Sequence, residues 1–171
     1  MRHLRVLKWI IVATVVVFLA IGLLSVPYRG VGKQSYGVSF SVKQAEGLGV
    51  PWRELYDAIL DDLGARRLRL NAYWDEIEPV EDQYDFVSLD YQMERAVEVG
   101  AEVILAVGRK LPRWPECHEP DWLNDKTDVQ KEQELLEMIE VVGKRYGANE
   151  ALVMWQLENE PFFDFGECTV T

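Results

Sequence analysis

The stretch Ala151-Leu152-Val153-Met154-Trp155-Gln156-Leu157-Glu158-Asn159-Glu160-Pro161 decides how the rest of the chain is read. Residues 151–154 are apolar over a run of strand length rather than helix length. Pro161 lacks the N–H that a central strand must donate, so the strand is expected to stop at Glu160. A carboxyl group would then sit at the C-terminal tip of a buried strand, beside the amide of Asn159 and close to Trp155. Apolar walls favour the neutral form of a carboxyl, which is the form a general acid needs. On this segment alone, a loop or helix-cap carboxylate that happens to precede a proline is an equal reading.

Upstream, residues 36–41 read as a first strand, and Gly47, Gly49 and Pro51 mark a loop. Pro51 suits a helix start, and Trp52, Leu55, Ile59, Leu60 and Leu63 recur at helical spacing before Gly64. Residues 66–72 suit a second strand. The loop after it carries Trp74-Asp75-Glu76-Ile77-Glu78-Pro79 and Tyr84-Asp85-Phe86. Ser88 is the expected cap of a second helix that runs to Gly100. Residues 102–107 form a third strand, followed by a long loop with Arg109, Arg113, Trp114, Cys117, His118 and Trp122. A long helix is expected to begin near 125–128 and to carry Leu135, Leu136, Met138, Ile139 and Val142 inward. The opening segment is the fourth strand. Such regular alternation predicts an α/β architecture with a parallel sheet and crossover helices. The distinctive loops all leave the C-terminal ends of strands, where parallel barrels and doubly wound sheets place their sites. No phosphate-binding glycine fingerprint follows any strand.

Residues 1–33 carry five basic side chains (Arg2, Arg5, Lys8, Arg29, Lys33) and no acidic one, although the chain as a whole has a net charge of −11. The body therefore holds 13 basic against 29 acidic residues, a balance that repels phosphate backbones and argues against a nucleic-acid partner. From Trp9 to Val26 only Thr14, Gly22 and Ser25 interrupt an apolar run, which is just long enough to span a bilayer core. Basic residues precede it, so the expected layout is a cytoplasmic tail at 1–8, a single-pass transmembrane signal anchor at 9–26 and a tether at 27–35. The body at 36–171 then lies outside the cytoplasm. The competing reading is a cleaved signal peptide, for which Ala20-Ile21-Gly22 offers the small residues. With the body outside, a disulfide between Cys117 and Cys168, in the loops after strands three and four, is the expectation; two buried free thiols are the alternative.

At this point the residues resemble a known group. Trp74-Asp75-Glu76-Ile77-Glu78-Pro79 with Tyr84-Asp85-Phe86 resembles the segment after the second strand of clan A glycoside hydrolases. Trp155-Gln156-x-x-Asn159-Glu160-Pro161 resembles the end of their fourth strand. Arg113-Trp114-Pro115-Glu116-Cys117-His118 fits a sugar-site loop. These are TIM-barrel enzymes, among them cellulase-like, xylanase-like and beta-galactosidase-like families. The resemblance covers most of residues 36–165 and implies a partial (β/α)8 TIM barrel of about four βα units.

By the same resemblance Glu160 is the acid/base that protonates the departing glycosidic oxygen. Asn159 would bond the sugar 2-hydroxyl, and Arg69 would steady the nucleophilic carboxylate, with a salt bridge to a nearby acid as its other reading. Trp74, Trp114 and Trp155 would offer flat faces to sugar rings, core packing being the alternative for Trp155. His118 would touch sugar unless it is bonded to its own loop. No cofactor is implied, and two histidines with two separated cysteines make no metal-ligand cluster.

A retaining glycosidase needs a second carboxylate about 5–5.5 Å from the first. In this clan it comes from strand seven, whereas the sequence given stops just past strand four. The expectation is thus the N-terminal part of a membrane-anchored glycoside hydrolase acting on an oligo- or polysaccharide. Its missing C-terminal half would carry the nucleophile, and the chain alone would hydrolyse little. A non-catalytic carbohydrate-binding module and an anchored structural protein are the alternatives.

Overall fold

The structure, a computed structural model, describes residues 8, 9, 11–19 and 35–168. The chain falls into two units, Met1–Ser35 and Tyr36–Thr171. In the first, residues 11–19 are helical and exposed. Among the described residues no helix is long and apolar enough to cross a membrane. The rest of the expected tail, span and tether lies outside the described residues.

The second unit is a four-stranded parallel sheet in the order β1 (Val38–Ser39), β2 (Arg67–Tyr73), β3 (Glu102–Gly108) and β4 (Leu152–Leu157). Between the strands lie α1 (Val42–Gly47), α2 (Trp52–Asp61), α3 (Trp74–Ile77), α4 (Val87–Glu98) and α5 (Asp128–Tyr146), with a 3-10 turn at Asp121–Asp125. Strand alternation explains the layering. Leu68, Leu70 and Ala72 of β2 and Val103, Leu105 and Val107 of β3 share one buried core with Tyr56, Leu60, Met93, Ala96, Met138 and Val142 from the helices. Arg67, Arg69, Asn71 and Tyr73 belong to the other face. A hollow of about 400 Å³ opens there, lined by Val38, Arg67, Arg69, Glu102, Ile104 and Val153. β1 and β4 are the edges of the sheet.

Several element boundaries differ from the sequence reading, each for a local reason. The first strand is two residues long, although the Phe40 N–H continues its ladder to the Arg69 carbonyl at 3.0 Å. The stretch before Pro51, read as a loop from Gly47 and Gly49, holds α1, because the Ser41 hydroxyl caps it by accepting from the Gln44 N–H. Ser88 does not cap α4; the Asp85 carboxylate accepts from the Val87 N–H one position before it. Thr127 and Gln130 close a capping box on α5. Leu136, expected inward, is exposed on α5, whereas Met138 and Val142 are buried.

The fourth strand ends at Leu157, three residues before the expected stop at Glu160. Glu158 takes a left-handed backbone (φ 58°), which leaves the strand conformation. Its carboxylate accepts the N–H groups of Arg109 (3.1 Å) and Lys110 (2.6 Å), so a tertiary contact ends the strand before Pro161 can.

Candidate active site

Two loops build the site, those that follow β3 and β4. Four of the five non-glycine residues with left-handed backbone among the described residues sit in them: Arg113, Glu116, Glu158 and Glu160. Such conformations cost of order 1–3 kcal/mol each and collect at functional sites. The loops are stitched together. Glu167 N–H donates to the Pro115 carbonyl at 3.0 Å, and Cys117 and Cys168 form a disulfide with Cα atoms 4.9 Å apart. Gly108 has to be glycine: a Cβ there would lie 2.5 Å from the Glu158 carboxyl carbon.

Arg69 reaches across the open face of the sheet. Its Nε donates to Gln156 Oε1 at 2.9 Å and its Nη2 to Asn159 Oδ1 at 2.8 Å. This clasp fixes the residue that precedes Glu160. Partial burial and the neighbouring Arg113 pull the Arg69 guanidinium below its ordinary pKa, against the opposing pull of Tyr73, Glu160 and Glu116. Glu160 is therefore close enough for its charge to act on Arg69, but its side chain is exposed, not walled by apolar groups as the sequence reading has it. The early end of β4 is the cause, since Glu160 stands on a loop and not on the strand.

The four other expected sugar contacts separate. Trp114 is exposed on the β3 loop, with Phe165 edge-on at 6.0 Å. Trp74 is fully buried and donates its indole N–H to Glu78 Oε2 at 2.7 Å, so it presents no face to a ligand. His118 is 1% exposed, packs at 4.4 Å on the Tyr73 ring and meets the Leu111 carbonyl at 3.3 Å. Burial holds its ring down to about 4, with Lys43 adding to the effect. It packs against its own loop and the Tyr73 ring and has almost no exposed surface.

Trp155 lies on the wrong face for a sugar. The register shifts between Val103 and Ile104, pairing Ile104 with Met154 and Trp155 with Leu105, whose side chain joins the helix-side core. Gln156 then pairs with Ala106 and shares the Arg69 face.

Sequence reasoning passes over three participants: Gln156, Glu158 and Lys110. Gln156 stands in the sequence only as part of a motif, while Glu158 and Lys110 act on main-chain groups, which no residue pattern announces. Glu116 adds a buried carboxylate oxygen with no hydrogen-bond partner among the described residues, in range of Arg69. The residues suited by position to a metal, among those described, are Cys117, Glu119 and Cys168, and the disulfide takes both sulfurs. That group offers no thiolate.

Beside the site, burial lifts the Glu76 carboxyl on α3 to about 7, with Asp75 and Glu46 adding to the rise and Lys43 opposing it. A carboxyl that holds its proton more tightly when folded costs stability as pH climbs from its ordinary 4.5 through about 7. Glu76→Gln removes that cost. Its stability relative to wild type is expected to rise by about 1–3 kcal/mol between roughly pH 4.5 and pH 8. Urea titrations of both proteins check this, and parallel pH curves would contradict it.

Comparison with known proteins points to one group of enzymes. The Glyco_hydro_42 family model, described as Beta-galactosidase, matches residues 58–135, a span that includes Arg69 and Trp114 but ends before β4. No curated protein matches the chain. Among solved structures, a catalytic mutant of a GH42 beta-galactosidase from G. stearothermophilus is 22% identical with a TM-score of 0.56, over 72% of this chain and 21% of that one. A beta-galactosidase from Halorubrum lacusprofundi is 22% identical with a TM-score of 0.55, over the same shares of each chain. One from Rahnella sp. R3 is 20% identical with a TM-score of 0.57, over 78% of this chain and 22% of that one. The chain thus spans about a fifth of the length of these enzymes, with which it shares an α/β, partial TIM-barrel-like fold. It is similar over that part to clan A glycoside hydrolases.

Proposed function

We propose that these βα units are the acid/base-bearing part of a membrane-anchored, retaining glycoside hydrolase, with Glu160 as the proton donor. The observation that carries this reading is the Arg69–Gln156–Asn159 clasp at the C-terminal end of the sheet, with Glu160 next in the chain. It ties position 69 of β2 to positions 156 and 159 at the C-terminal end of β4, the strand end at which parallel barrels bind substrate. Asn159 would then meet the 2-hydroxyl of the sugar, and Trp114 would stack on a ring. The beta-galactosidase relatives make a β-galactoside the first substrate to try.

The remainder of the barrel has a place to attach. Among the described residues β4 is an edge with no strand paired beyond it, and Val153, Met154 and Leu157 are exposed on it. Further βα units pairing there would cover apolar surface and bring the second carboxylate. The anchor reading of residues 9–26 rests on their apolar run and the basic residues before it. Membrane fractionation of tagged protein tests it, and recovery in the soluble fraction would remove it.

A second reading, a carbohydrate-binding module without chemistry, is favoured by one feature. Trp114, Phe162, Phe163 and Phe165 form an exposed aromatic surface beside the clasp. Paired measurements separate the readings: turnover of an aryl β-galactoside, and calorimetric binding of galactose and lactose. Binding without turnover, after the barrel is completed with βα units from a relative, would favour the module. Neither binding nor turnover would defeat both.

A further inference from the structure

We propose that Lys110 is a positioning residue for Glu160, an assignment that rests on reading Glu160 as the acid/base. Lys110 follows β3 and is fully buried. Its ammonium donates to the Glu160 carbonyl at 3.2 Å and to the Phe163 carbonyl. The same residue grips the loop through its main chain. Its N–H donates to Glu158 Oε2 at 2.6 Å, and its carbonyl accepts the Asn159 N–H at 2.6 Å. One residue therefore holds positions 158, 159, 160 and 163.

The choice of lysine is informative. A buried ammonium is costly unless its protons are met, and here two neutral carbonyl oxygens meet two of the three. Among the described residues no carboxylate forms an ion pair with it. Packing alone would be served by methionine or leucine at the same position. What the ammonium adds is several donors on one atom, able to hold two carbonyls of a turn at once. Phe163 N–H also donates to the Glu160 carbonyl at 2.9 Å, so the turn and the ammonium share that acceptor. The backbone of Glu160 is thereby fixed while its side chain stays open to a substrate.

Two measurements on the whole chain test the assignment. In wild type, the Lys110 ammonium should give slowly exchanging N–H signals that correlate across hydrogen bonds with the carbonyl carbons of Glu160 and Phe163. An ammonium exchanging as fast as surface lysines, with no such correlations, would overturn it, and this arm needs no variant. In folded Lys110→Met, the Phe163 amide is expected to exchange at least about tenfold faster, with Leu105 and Val107 unchanged. Exchange at Phe163 within about twofold of wild type would also overturn it. In a barrel that hydrolyses glycosides, Lys110→Met should lower kcat by about tenfold or more and leave KM within about twofold, because the substrate contacts remain. If no form of the protein turns over a glycoside, the reading of Glu160 falls, while the two spectroscopic arms still decide whether Lys110 holds that loop.

Discussion

Glu160→Gln is expected to slow hydrolysis of a glycoside with a poor leaving group by about 10²–10⁴-fold in a completed barrel. Glutamine keeps the size of the side chain and its place next to the Arg69-bound Asn159. It cannot give a proton to the departing oxygen or take one from the attacking water. The loss should depend on the substrate. An aryl glycoside with an acidic phenol leaves with little help, so its first step should suffer far less. Azide needs no general base, so added azide should restore turnover of the activated substrate and yield a glycosyl azide. Initial rates on a paired alkyl and nitrophenyl galactoside, with and without azide, check all of this. Equal losses on both substrates, or none, would remove Glu160 from the proton transfers.

Trp74→Ala is expected to destabilise the fold by about 3–5 kcal/mol, the usual range for emptying a fully buried tryptophan site. Trp74 has no exposed surface, and its ring meets Trp122 edge-on at 6.0 Å. Truncation also strips a donor from Glu78, which is 2% exposed and whose carboxyl burial already pushes above its ordinary range. The Asp82 N–H at 3.0 Å and the Tyr84 hydroxyl would remain to it. Trp74→Phe fills most of the space but lacks the indole N–H, so it should cost less, about 1–3 kcal/mol. Urea unfolding of the three proteins gives the comparison. An alanine variant within about 1 kcal/mol of wild type would show that the site collapses or is wetter than the packing indicates.

Trp74 also shows what a sequence can and cannot convey. Period and punctuation place the four strands and the long helices, because strand alternation and helical spacing are local properties of the chain. Whether a loop tryptophan faces solvent or core is decided by what packs over it, here Trp122 from a distant loop, with Glu78 of its own segment taking the indole N–H. His118 is hidden in the same way by Tyr73 and Leu111. Trp155 is a sharper case. With an unbroken register it would pair with Ala106, on the face of Arg69. The shift near Val103 inserts one residue and turns Trp155 to the helix side. No residue type in 151–157 marks that slip. The clasp between Arg69 and Asn159 brings together two residues that the sequence singles out separately, although the partner expected for Arg69 is a carboxylate and the ones it has are the amides of Gln156 and Asn159.

The Cys117–Cys168 bond joins residues 51 positions apart and so encloses all of α5 and β4 in one covalent ring. A protease that cuts once inside this ring leaves its two products tethered through sulfur. Nicked material should migrate as an intact chain on a denaturing gel without reductant and fall into two bands when a thiol is added. Apparent resistance to digestion, measured only under non-reducing conditions, would therefore overstate how well the exposed Phe162–Phe165 turn is protected.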